Sequence, residues 1–211
     1  MKESPSVRFA LKPKRTRVKK MSRLHEINLP INRDEAISII KSYVFGPVKT
    51  FTPDGFNIVK PKEEIECNTY AIVDAMLVPE ISFIPDAYDA EWECLWKGES
   101  EGQFAFYAPY IVKLDKGSAL TNWFISSKLG TGKEWGMFVR SYHSIKETGH
   151  HLRKFNQLYD EVNGKWVFFR YYSTVAIDSI IPALPPDDFA SFFSGISQII
   201  SDGSDGRLLI I

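Results

Sequence analysis

The chain has 211 residues, 44% hydrophobic, 14% aromatic and 25% charged, enough apolar content to bury the core of one domain, or of one domain with a small lobe. That composition excludes a mainly disordered, fibrous or collagen-like chain, and two cysteines, Cys67 and Cys94, exclude a disulfide scaffold and fit a reducing compartment. The formal net charge is zero but unevenly divided: residues 1–25 carry nine Lys or Arg against Glu3, leaving 17 basic and 25 acidic residues from Glu26 onward.

No apolar run reaches the roughly 18 to 20 residues of a membrane span. The basic start is not followed by the hydrophobic block of a signal peptide, so a cytoplasmic location is expected. A basic arm on an acidic body can bind nucleic acid or anionic lipid through counterion release, or lie solvated near its own body. The second reading is preferred, because the arm lacks the interleaved aromatics of a stacking surface. Met21 also permits a later start.

Beyond the arm, Asn32-Arg-Asp34 precedes Ala36, Ile37, Ile40 and Val44, which predicts a capped amphipathic helix ending near Gly46-Pro47. Residues 46–66 read as loop, with Pro47, Pro53-Asp-Gly55, Pro61 and the charged run Lys62-Glu-Glu64. The run Thr69 to Met76 predicts a buried strand, Pro79 to Ala90 a helix or irregular crossover, Glu93 to Trp96 a short strand and Phe104 to Leu114 a longer one. Leu120, Trp123 and Phe124 stand at i, i+3 and i+4 on a helix running to about Lys128, and Gly136-Met-Phe-Val139 reads as another buried strand.

Ser144 with Glu147 three residues later predicts a capping box, on a helix that carries His150, His151 and Arg153 toward Phe155. Asn163-Gly164 is the strongest hairpin signal, since both residues tolerate the positive φ of a type I′ turn. A helix over Thr174 to Ile181 should stop at Pro182. Pro185-Pro186 starts the next, Asp187 to Phe193, and two apolar segments, Ile196 to Ile200 and Leu208 to Ile211, close the chain. The expected fold is α/β: a mixed β-sheet flanked by helices, with a small helical C-terminal lobe and a basic N-terminal tail. The expected division is a tail over 1–24, an appendage and linker over 25–66, and the main domain over 67–211.

The motifs that could carry chemistry fail individually. Gly130-Thr-Gly132-Lys133 is similar to the end of a phosphate-binding loop, but the required leading glycine is Ser127 and the following Ser or Thr is Glu134. His143, Glu147 and His150 would share a helix face as a metal or acid/base site, with His151 beside them. The spacing is not HExxH, and the strand-to-helix turn over Ser141 to Ser144 takes His143 off the helix. Ser38-Ile-Ile-Lys41 has SxxK spacing without a partner motif. Asp86, Asp89, Glu91 and Glu93 form an acidic stretch with nothing to set two of them at a hydrolytic separation. No catalytic residue, cofactor site or metal site is nominated.

The combination of blocks is more specific. Tyr70-Ala-Ile-Val-Asp74, Ala108-Pro-Tyr-Ile-Val-Lys-Leu114, Trp135-Gly-Met-Phe-Val-Arg-Ser141, His151-Leu-Arg-Lys-Phe155, Gly164, Phe168-Phe-Arg-Tyr-Tyr172, Leu184-Pro185 and Phe192-Phe193 stand in order. From Tyr70 to about Gly195 the chain resembles the adaptor chaperones of bacterial type VI secretion, long catalogued as a domain of unknown function. It departs from that pattern at Ser173-Thr174-Val175, where the family has Asp-Pro-Arg. The resemblance implies a non-enzymatic protein that binds a type VI secretion effector in the cytosol and helps load it onto the VgrG spike protein, without cofactor or membrane span. Candidate partner-contacting residues are Phe192, Trp123, Arg140 and Arg170, with Phe189 and Phe193 expected in the core. Two other readings compete: a nucleic-acid-binding module using the arm, whose binding would weaken steeply with salt, and a hydrolase or nucleotide-binding enzyme around Gly130 to Lys133 or the histidines.

Overall fold

In the computed structural model, residues 23–52, 55–58, 66–128, 134–160, 163–203 and 206–211 are described. The basic arm up to residue 22, Gly130 to Lys133 and the run Lys62 to Glu64 therefore lie outside the described residues.

The chain enters through β1 (His25–Asn28) and α1 (Arg33–Val44). The Asn32 side chain caps α1, accepting from the Asp34 and Glu35 amides, so the predicted helix start is a hydrogen-bonded one. Residues 46–66, read as loop, contain β2 (Lys49–Thr52) and β3 (Gly55–Ile58), paired antiparallel with Thr52 opposite Gly55. The reading of this stretch as loop is thus corrected at the two paired strands.

Next come β4 (Asn68–Asp74), a 3-10 turn over Pro79–Ser82, α2 (Ile84–Ala87), β5 (Trp92–Cys94), α3 (Glu99–Phe104) and a 3-10 turn over Ala105–Tyr107. Then β6 (Pro109–Lys113) begins later than the strand expected from Phe104. Pro109 has no N–H to give the ladder and takes the first strand position, and the Leu95 carbonyl opposite it accepts from the Asn156 side chain (2.8 Å) instead. Further along are α4 (Ala119–Lys128), β7 (Gly136–Ser141), α5 (Ile145–Arg153), β8 (Gln157–Asp160) and β9 (Lys165–Phe168). A π turn over Ala176–Ile180 and a 3-10 turn over Ile181–Ala183 lead to α6 (Pro186–Phe192), β10 (Gln198–Asp202) and β11 (Arg207–Ile210). The capping box of α5 forms as expected, Ser144 with Glu147. The β8–β9 hairpin also forms, but Asp160 pairs with Lys165, so its loop is longer than a two-residue I′ turn, and of Asn163 and Gly164 only the glycine has positive φ.

The α/β class is as expected. Within it, every pairing of the large sheet, in the order β1-β11-β10-β7-β4-β6-β5, is antiparallel, where a mixed sheet was expected, and the β8–β9 hairpin is a separate two-stranded sheet. Alternation along the strands splits the core in two. Ala71, Val73, Phe138, Ile200 and Leu208 face Ile40 and Val44 of α1 and Leu120, Phe124 and Ile125 of α4. On the other face Ile72, Met137, Val139, Ile199 and Leu209 meet Leu152 of α5, Tyr171, Ile177, Ile181 and Phe192. The helical turns after residue 174 thus supply the cover of the second face, and β1, from the segment expected as an appendage, pairs with β11.

Candidate partner-binding surface

The residues singled out in the sequence go to different places. Phe192 is fully buried, its ring edge-on to Phe155 (4.9 Å) and near Tyr171 (5.8 Å). Phe189 and Phe193 are the half-buried pair, stacked on each other at 4.4 Å with the Arg23 guanidinium 4.1 Å above Phe189. The expectation that Phe192 is the ring left for a partner is therefore corrected, while Phe189 and Phe193, expected in the core, pack against it only partly buried. On a helix of two turns, the His151 ring on the Phe192 carbonyl (2.8 Å) and the Phe155 contact pull position 192 inward.

Arg140 does not reach the surface as expected: it is 3% exposed, and its guanidinium donates to the Tyr43 and Gly46 carbonyls at 2.7 and 3.0 Å, tying the end of α1 to β7. It lines a pocket of about 550 Å3 with Cys67, Lys113 and Tyr142. Burial pushes the Cys67 thiol up, and the neighbouring guanidinium opposes that shift. Trp123 is half-buried, packed against the first core and edge-on to Phe124 at 6.1 Å.

Arg170 carries a half-exposed side chain (44%) that pairs with the Asp74 carboxylate, itself 1% exposed. A buried carboxylate is costly to leave uncompensated. Arg170 answers it, together with the Met76 amide, which donates at 2.9 Å. The first of the sequence blocks, which ends on Asp74, and the sixth, which contains Arg170, are thus joined by this ion pair.

The acid/base candidates disperse. His151 is turned to Phe192, and burial holds its pKa below the usual 6.5. His143 approaches Glu147 at 3.8 Å, and His150 is exposed. Ser38 and Lys41 are both exposed. Glu91 pairs with Lys113 (3.0 Å), Glu93 with Arg153, and Asp86 accepts from the Trp92 indole (2.6 Å). Among the described residues no group of three or more His, Cys, Asp or Glu could hold a metal ion.

What the structure does assemble is an aromatic end. Asp74 of β4 stands opposite Pro109 of β6, and the Leu95 amide donates to the Pro109 carbonyl (2.9 Å), so β4, β5 and β6 finish or begin at one level. From that level emerge Met76 and Leu77 after β4, Phe104, Phe106 and Tyr107 before β6, and Trp96 after β5 with Phe168 of β9 stacked on it at 5.4 Å. Phe83 of the crossover and Val175 beyond Arg170 are also exposed. Phe106 is 72% and Phe168 65% exposed, and β9 is exposed along its length.

A set of large apolar side chains left in water at one end of a sheet is a candidate binding surface, since monomeric folds bury such area when they can. Sequence reasoning missed these residues because Phe104 to Tyr107 read as strand interior. The available signal was Gly98 and Gly102 just ahead of that run and Pro109 just after it, which argue against an extended reading that starts at Phe104.

A protein-family comparison matches residues 69–191 to the family described as "Domain of unknown function (DUF4123)". No curated protein and no solved structure matches the chain. The match covers more than half of the sequence, and the chain belongs to that family.

Proposed function

With membership of this family as the premise, we propose that the protein is a non-enzymatic adaptor that binds a type VI secretion effector and helps load it onto the VgrG spike. The observation that carries the reading is the cluster of exposed aromatics at the β4–β5–β6 end, Phe106 and Phe168 above all. Rigid aromatic rings bring large contact area at low entropy cost, and the centre of a protein interface is enriched in them. The ion pair of Asp74 with Arg170 holds the end of β4 against the segment that follows the β8–β9 hairpin, so the surface is presented by anchored elements.

The test is co-expression with a candidate toxin effector taken from the genes flanking this one. The wild-type chain co-purifies with it. The double substitution Phe106→Ala with Phe168→Ala abolishes co-purification while leaving the unfolding midpoint in place, because neither ring is buried. An isolated chain that never associates with the toxin and instead hydrolyses nucleotide or ester substrates overturns the reading.

A further inference from the structure

Strand β5 is the last strand of the large sheet, and among the described residues no strand lies beyond it. Its ladder to β6 fixes which backbone groups face outward. The Lys113 amide donates to the Glu91 carbonyl and the Leu95 amide to the Pro109 carbonyl, so 91, 93 and 95 are the residues bonded to β6. By antiparallel alternation the N–H and C=O of Trp92 and Cys94 point away from the sheet. Beside this open edge runs a groove of about 560 Å3 lined by β5, Lys97, Glu101 and, from α5, Lys146, His150 and Arg153.

The charge of the groove selects its occupant. Arg153 is matched by Glu93 and Lys97 by Glu101, whereas Lys146 and His150 are exposed on α5 without an anionic partner among the described residues. Glu93 points to the α5 side, where it meets Arg153 and Gly149. A strand added to β5 therefore turns every second side chain toward Lys146 and His150. We propose that β5 is a strand-addition site that takes an extended polypeptide segment with acidic side chains at alternate positions. This deepens the adaptor reading and rests on it for the source of the segment, a stretch of the effector. Backbone pairing supplies affinity for any extended chain, and the unmatched Lys146 ammonium, with the His150 imidazole beside it as a hydrogen-bond donor, chooses the acidic one.

The probe is an eight-residue peptide of alternating Glu and Val, titrated into the full chain, with amide exchange measured at Trp92 and Cys94. We expect saturable binding, slowed exchange at those two amides, and at least tenfold weaker binding to the double variant Lys146→Glu with His150→Glu. Both sites are exposed, and the acid placed at 146, in the first turn of α5, favours the helix and offsets the one placed at 150, in its last turn, so the variant folds. Absent binding, equal binding of an alternating Lys and Val peptide, unchanged exchange at 92 and 94, or indifference to the double variant each overturns the proposal. The peptide is independent of the effector, so its failure while the toxin still co-purifies removes the strand-addition site and leaves the adaptor reading standing.

Discussion

Gly136 shows at one residue why a sequence block takes the form it does. Its φ is 144°, and a Cβ there would lie 1.9 Å from the Ile72 carbonyl oxygen of the neighbouring strand. Trp135, just before it, is buried against Phe124 (4.9 Å) and Phe138 (4.8 Å), so the Trp-Gly pair is an interior ring followed by a point of close backbone approach. Gly136→Ala should destabilise the fold by about 3 kcal/mol or more, read as a fall in the denaturant midpoint. Phe192→Ala should cost about 3 to 5 kcal/mol, because it empties a site enclosed by Phe155 and Tyr171, whereas Phe193→Ala should cost clearly less. Equal costs for the two would refute the burial order. His151 adds a pH dependence of known sign. Burial depresses its folded pKa below 6.5, so between the two values the unfolded chain binds the proton more strongly, and stability present above about pH 6.5 is lost as pH falls. Thermal midpoints should decline from pH 7.5 to 5.5, with a shallower decline in His151→Gln. His25 is shifted in the same direction by burial and leaves a residual slope.

Among the elements, those with a local cause were legible in the sequence. The caps of α1 and α5 rest on side chains two or three residues from the amides they satisfy, and Gly164 supplies its own positive φ, so neighbours in the chain suffice to specify them. The β2–β3 hairpin and the late start of β6 escaped notice because their segments are dense in proline, glycine and charge or carry aromatics in no period. The N-terminus divides sharply by element. Arg23 donates to the Leu184 carbonyl at 2.6 Å and covers Phe189, and β1 pairs with β11 over four residues. A chain starting at Met21 should keep its thermal midpoint within about 2 °C of the full-length value. A chain starting at Asn32 loses both contacts and should melt lower by more than about 4 °C, where roughly 1 kcal/mol corresponds to 2–4 °C in a domain of this size. Equal midpoints for the two would show that β1 adds nothing to the sheet.

For the molecule as a whole, composition and period determined that a buried sheet would be covered by amphipathic helices, and the ordered blocks pointed to the family. Asp74, Arg140, Trp135 and Phe192 all sit inside those blocks, and all are buried. The blocks therefore report mainly the interior of the family's fold, and of the exposed aromatic end they hold only Phe168. Only the tertiary structure decided the pairing direction. Helices cover both faces of this sheet, so β4 and β7 read as continuous apolar runs, the pattern usual for parallel strands, and the alternation that betrays an antiparallel sheet with one wet face is missing. It also decided which aromatics remain in water. Phe106 and Phe192 are alike in chemistry, and only the level at which β4, β5 and β6 end leaves the first at the rim while Phe155 and Tyr171 close over the second. Local spacing specifies a helix or a turn through neighbours in the chain, but burial depends on what residues distant in sequence bring to the same place.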